Sequence, residues 1–152
     1  MRSVRTMRTE ERFFLDTNIV MYAIGKEHHY KHPCMRTLKQ IEAGALRVVT
    51  NVEVLQEILH RYFSLGRPRI AATAFSALKE LCVEILPVLE ADLDLALDLL
   101  HGSPQIKIRD AVHAATMQNN GLSKIISTDK HFDAIEGISR IDPTSLKGVK
   151  SL

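Results

Sequence analysis

The sequence predicts a mostly parallel, three-layer α/β domain. Short apolar runs rich in β-branched residues alternate with segments of helical spacing, the pattern of strands joined by helical crossovers. Two of those runs end at a carboxylate, Asp16 and Asp129, and each is followed by a segment that starts a helix. The length of 152 residues suits one domain that buries about two-thirds of its unfolded surface, and no linker, repeat or low-complexity stretch divides it.

Phe13, Phe14 and Leu15 form the first strand, and Thr17 or Asn18 caps a helix through Tyr22 that Gly25 ends. His28, His29 and His32 fall in a loop closed by Pro33 and read as a solvated surface loop, because the proline disrupts the spacing two metal ligands need. A second helix is predicted from about Cys34 to Ala43, before Gly44. Leu46, Val48 and Val49 make the next strand. Thr50 or Asn51 then starts a helix toward Gly66, with Val54, Leu55, Ile58, Leu59 and Tyr62 as its core-facing stripe. Pro68 opens a helix through Leu81. Val83 to Val88 is a strand whose Pro87 requires an edge or a strand end. A short amphipathic helix spans Asp92 to Leu100, and Gly102, Ser103 and Pro104 turn the chain. Arg109 and Asp110 open a helix of small residues that Gly121 ends. Ile125 and Ile126 form a fourth strand, and Ile138 to Ile141 a short fifth.

The predicted division is a basic arm over 1–11, the domain over 12–143 and a short tail over 144–152. Met1 to Arg12 carries Arg2, Arg5, Arg8 and Arg12 without the apolar core of a secretory signal, and no apolar run reaches membrane-span length. A cytoplasmic protein without a membrane segment is expected. Cys34 and Cys82 belong to no Cys-x-x-Cys pair, so they read as buried thiols and not as a zinc site or disulfide framework. The net charge of +2 does not announce nucleic-acid binding by itself. Its distribution says more, with clusters in the arm, at Arg61, Arg67 and Arg69, at Lys107 and Arg109, and at Lys147 and Lys150.

Four acids stand where a metal-dependent reaction would need them. Asp16 and Asp129 leave strands, and ligands of open α/β sheets bind outside the strands' carboxyl ends. Glu57 lies on the border of its helix's apolar stripe, where pairing with Arg61 is the alternative. Asp110 opens its helix, where complementing the helix dipole, worth about 0.3–1 kcal/mol, is the alternative. His113 shares a face with Asp110 and reads as a satisfied buried side chain. Two carboxylates about 4 Å apart repel by roughly 4 kcal/mol at an effective dielectric near 20, so a cluster of four needs protons or a cation. An all-oxygen pocket prefers a hard ion such as Mg²⁺ or Mn²⁺.

These residues resemble a PIN domain, the nuclease family that includes the VapC-type toxins of toxin–antitoxin systems. The resemblance rests on Phe-Phe-Leu-Asp-Thr-Asn at 13–18, Thr50 followed by Glu57, Arg-Asp-Ala-Val-His-Ala-Ala at 109–115 and Ser-Thr-Asp-Lys-His-Phe-Asp at 127–133. It implies a five-stranded sheet of order 3-2-1-4-5, and a pocket where Asp16, Glu57, Asp110 and Asp129 hold Mg²⁺ or Mn²⁺ for RNA hydrolysis. It also implies a homodimer and an antitoxin partner. Thr17, Asn18 and Thr128 would position the acids, and Asp133 would be an auxiliary acid. Arg61, Lys107 and Arg109 are candidates for the RNA backbone, with surface ion pairs as the alternative. Aromatic residues are only 5% of the chain, so shape and backbone contacts are expected to dominate RNA recognition.

An RNA-processing role without toxicity is an alternative within the same chemistry. A phosphotransferase of the haloacid dehalogenase type also begins with a strand ending in Asp, but it needs Asp-x-Asp and position 18 is Asn. A noncatalytic RNA- or protein-binding module is the remaining rival.

Overall fold

The computed structural model describes residues 11–146, so Arg2, Arg5, Arg8, Lys147 and Lys150 lie outside the described residues. Five strands form one sheet of order β3-β2-β1-β4-β5, and every pairing is parallel. They are β1 Phe13–Leu15, β2 Val48–Asn51, β3 Glu84–Leu86, β4 Lys124–Ile126 and β5 Ser139–Ile141. Six helices connect them: α1 Thr17–Ile24, α2 Lys31–Glu42, α3 Val52–Ser64, α4 Pro68–Leu81, α5 Glu90–Gly102 and α6 Ile108–Asn119. Short 3-10 turns follow β4 at Lys130–Ala134 and β5 at Pro143–Leu146. The order 3-2-1-4-5 and the three layers agree with the sequence reading.

Successive strand residues point to opposite faces of a sheet. Phe14 and Leu15, Val48 and Val49, and Ile125 and Ile126 are all fully buried, so both faces of the central strands are covered by helices. The edge strands behave differently. In β3, Glu84 is exposed and Ile85 half-buried, and Pro87, which lacks a ladder donor, stands just past its end. Cys34 and Cys82 are buried thiols, and burial pushes both up to about 12.

Boundaries moved where capping chemistry overrode the spacing. Helix α2 begins at Lys31, three residues earlier than the Cys34 predicted, because Pro33 occupies the first turn, where no intrahelical N–H is required. Helix α5 runs over Glu90–Gly102, longer at both ends than expected: Asp92 Oδ2 accepts the Leu89 N–H at 2.8 Å and fixes its start. Helix α6 starts at Ile108, which sets Asp110 in its first turn. Of the predicted arm only Glu11 falls within the described residues, and Arg12 follows it at the start of the domain. They pair with Lys124 at 2.6 Å and Glu84 at 2.9 Å, exposed contacts that add little to stability.

Asn51 ends β2 and caps α3 by accepting the Val54 N–H at 3.0 Å. Its amide nitrogen lies 3.2 Å from His113 Nδ1 and 3.1 Å from Thr116 Oγ1. Replacing a cap costs about 1 kcal/mol, and unpairing two buried groups adds a comparable amount. Asn51→Ala is therefore expected to destabilise the protein by about 2 kcal/mol, read as a lower urea midpoint at unchanged slope. An unshifted midpoint would show that this network does not hold α3 and α6 to the sheet.

Candidate active site

The carboxyl ends of β1, β2 and β4 deliver the chain to one end of the sheet. Leu15 pairs with Ile126, so Asp16 and Ser127 emerge side by side. Asp16 caps α1 through Oδ1, which accepts the Thr17 N–H at 2.7 Å. Its Oδ2 accepts Ser127 Oγ–H at 2.6 Å and the Asn18 amide at 3.2 Å. Asn18 also accepts the Thr128 N–H at 3.3 Å, and Ser127 Oγ accepts the Asp129 N–H at 3.0 Å. One short network thus ties the exits of β1 and β4 together.

Glu57 reaches the same place from α3. Its Oε1 accepts Thr17 Oγ–H at 2.6 Å and lies 3.2 Å from His113 Nε2, while its Oε2 meets Arg109 Nε at 3.0 Å. Arg61, the partner proposed from helical spacing, is not the one used. Asn51 Oδ1 is taken by the Val54 N–H, so its NH₂ faces His113 Nδ1. The ring nitrogen facing it must accept, which places the imidazole proton on Nε2, donating to Glu57. Burial pushes the His113 pKa down and the hydrogen bond to Glu57 and nearby carboxylates pull it up, with the upward pull larger.

Asp16, Glu57 and His113 each bring an atom within 4.8 Å of the others, and Asp110, Asp129 and His131 form a second such group. Asp110 joins the two. Burial, a hydrogen bond with Asp129 and the charges of Asp16 and Asp129 push its carboxyl up to about 8, so Asp110 and Asp129 share a proton. Burial also raises Asp16, whereas hydrogen bonds from His113 and Thr17 outweigh burial and lower Glu57. Burial opposes ionisation of Asp129, but hydrogen bonds with Asp110 and His131 hold it low.

Among the described residues Asp110 Oδ2 is buried without a hydrogen-bond partner. A buried acceptor left alone is costly, and this one sits among carboxylates that repel one another. The donors are oxygens, with the His131 imidazole at the exposed edge, while His113 has both ring nitrogens engaged by Asn51 and Glu57. This set fits a hard divalent cation, whose charge would supply what the orphaned oxygen and its neighbours lack.

The other sequence candidates are placed as follows. Both oxygens of Asp133 are engaged by Arg140, at 3.0 and 3.2 Å. Thr128 lines a neighbouring cavity, as does Arg61. Lys107 is exposed at the start of α6. Ser127 was not among the candidates, although parallel pairing of β1 with β4 puts it level with Asp16. His113 is buried and satisfied as expected, and its partners are Glu57 and, at 4.0 Å, Asp16.

The PIN domain pattern matches residues 13–138. A VapC ribonuclease of Mycobacterium bovis is 37% identical over 127 residues, covering 84% of this chain and 97% of the relative. Ribonuclease VapC23 of Mycobacterium tuberculosis is 35% identical over 116 residues, covering 76% and 91%. Among solved structures, VapBC2 from Rickettsia felis superposes with a TM-score of 0.67 at 16% identity, covering 86% of this chain and 97% of that one. VapC20 of Mycobacterium tuberculosis, a Sarcin-Ricin loop cleaving toxin, gives 0.65 at 20% identity, covering 80% and 93%. At those identities the structures speak for the fold, and the sequence relatives speak for descent. With the sheet order, the acids at the strand exits and these matches in agreement, the chain belongs to the PIN domain family.

Proposed function

We propose that this protein is a metal-dependent endoribonuclease that hydrolyses RNA phosphodiester bonds, acting as the toxin of a toxin–antitoxin pair. The carrying observation is the convergence of Asp16, Glu57, Asp110 and Asp129, from four separate elements, around a buried oxygen without a partner. Relatives named as VapC ribonucleases, aligned over most of the chain, support the same reading.

In this proposal Asp16, Asp110 and Asp129 hold Mg²⁺ or Mn²⁺, with Glu57 either completing the set or orienting the attacking water. The bound cation supplies electrophilic assistance to the phosphodiester and lowers the cost of deprotonating water. The chain's own contribution is rigidity. Ser127 and the Thr17 N–H hold Asp16, and Thr17, His113 and Arg109 hold Glu57, so neither acid must reorganise when substrate arrives. Asn18 and Thr128 brace the two strand exits, Asp133 restrains Arg140, and Arg61, Lys107 and Arg109 contact the RNA backbone. Among the described residues no helix is long and apolar enough to cross a membrane, in keeping with a cytoplasmic toxin that pairs as a homodimer and is held by an antitoxin protein.

Purified protein with structured RNA and Mg²⁺ or Mn²⁺ is expected to cut, EDTA to stop cutting, and Asp16→Asn to reduce it by about 10²-fold or more, the scale of losing one preorganised electrostatic contact. Cleavage that survives both EDTA and the substitution would overturn the assignment.

A further inference from the structure

Beside the acidic centre lies an open cavity of about 550 Å³, large enough for a ligand of nucleotide size. One wall is a face of α1, Asn18, Met21 and Tyr22, at the three-and-four spacing that puts residues on one side of a helix, with Gly25 just past its end. Thr128, Asp129 and Lys130, from the segment after β4, also line it. Asp129 therefore belongs to both the acidic cluster and the cavity, and Asn18 hydrogen-bonds Asp16 from the cavity wall.

The loop after α1 brings rings to this cavity. Tyr22 and His28 line it, with ring centroids 4.6 Å apart. Behind them His29 stacks on His28 at 4.4 Å and Tyr30 lies 4.5 Å from His29. The array is braced before any ligand arrives. The Tyr30 N–H donates to His28 Nδ1 at 3.1 Å, Tyr30 Oη–H donates to Asp142 at 2.7 Å, and Lys31 Nζ donates to the carbonyl of Gly25. His28 and His29 are nevertheless exposed. Tyr22 and Tyr30 are half-buried with one side against the core, so exposed His28 and His29 are held on a fixed base and the array is a stacking platform. Lys26, Arg61 and Lys130 surround it, and none of the three enters an ion pair among the described residues. Cations around exposed rings are the arrangement that grips single-stranded nucleic acid, with phosphates on the cations and bases on the rings.

We infer that this cavity is a nucleobase subsite: an unpaired base next to the scissile phosphate stacks on Tyr22 and His28, while Lys26, Arg61 and Lys130 hold the flanking phosphates. This rests on reading the acidic centre as a site for RNA. It also revises the expectation that few aromatics leave recognition to shape, since the rings are few but gathered. Duplex RNA cannot offer a splayed base, so the subsite selects unpaired segments.

Binding measured without cleavage separates this inference from the nuclease assignment. Fluorescence anisotropy in EDTA would compare a labelled unstructured RNA oligonucleotide, the same strand annealed to its complement, and the strand with single abasic positions. The unpaired strand is expected to bind at least about ten-fold more tightly than the duplex. Tyr22→Ala and His28→Ala are each expected to weaken the strand about ten-fold, within the range for a lost base–ring stack, and to leave the duplex unchanged. Tyr22→Phe, which keeps the ring, should bind as the parent does. One abasic position should lose affinity in the parent and not in His28→Ala. Because His28 is exposed, its replacement keeps the test valid should Tyr22→Ala disturb packing. Equal binding of strand and duplex, or a loss shared by both on His28→Ala, would overturn the subsite. A chain that binds as described but never cuts would overturn the nuclease reading alone.

Discussion

Asp110→Asn is expected to cut RNA cleavage by about 10²- to 10³-fold while making the metal-free protein more stable near pH 8. The carboxyl is pushed up to about 8 by burial, by its hydrogen bond with Asp129 and by the charges of Asp16 and Asp129, and its Oδ2 has no partner. An amide of the same shape removes one repelling charge and can still donate to Asp129. The gain is expected to be about 1–2 kcal/mol in EDTA, or about 2–8 °C in Tm for a domain of this size. Activity moves the other way, by about 10²- to 10³-fold, because the substituted group no longer offers an anionic oxygen to the cation. Functional sites often hold such local destabilisation. The pair of measurements is diagnostic. Cleavage retained, or stability lost in EDTA, would exclude Asp110 from the cation site.

Melting the wild-type protein across pH, with and without cation, gives the second large effect. Asp110 and Asp16 are raised above their unfolded values, so their contribution is fully present below an unfolded pKa of 3.8 and is lost as pH climbs, for Asp110 toward about 8. Glu57 and Asp129 are lowered, so their contribution is present above their unfolded values and is lost only as pH falls into the acid range. Between about pH 5 and 8 the second pair is ionised in both folded and unfolded chains and drops out. The metal-free Tm should therefore fall over that window. Mg²⁺ or Mn²⁺ at about 100 times its Kd adds about 2.7 kcal/mol, roughly 5–10 °C. The gain should be largest at the alkaline end, where no proton has to leave. A Tm that rises from pH 5 to 8 in EDTA, or that ignores both cations, would sink the picture of a strained anionic pocket.

The sequence revealed the parts of this site that are local. Phe13 to Leu15 followed by Asp16, and Ile125 to Ile126 followed by Asp129, could be read directly, since an apolar run ending in an acid is a strand leaving the sheet. Glu57 and Asp110 were placed by helical phase. What stayed hidden depends on partners far along the chain. Ser127 meets Asp16 only because β4 inserts beside β1, and Glu57 chooses Arg109 over the nearer Arg61 only because α3 and α6 face one another. The histidine loop looked like solvent-facing punctuation, and Pro33 looked like its end. The loop's order comes from Tyr30 reaching Asp142, a contact across 112 positions that no window of sequence contains.

The late position of β4 has a consequence for how the protein is made. This strand separates β1 from β5 in the sheet but is synthesised after α6, and Asp129 follows it close to the end of the matched region, residues 13–138. A ribosome translating the message therefore carries a polypeptide with three of the four acids and an open slot beside the central strand until β4 has emerged. The acidic centre can close only when that strand has taken its place, because its exit carries Asp129 and the Ser127 hydroxyl that holds Asp16.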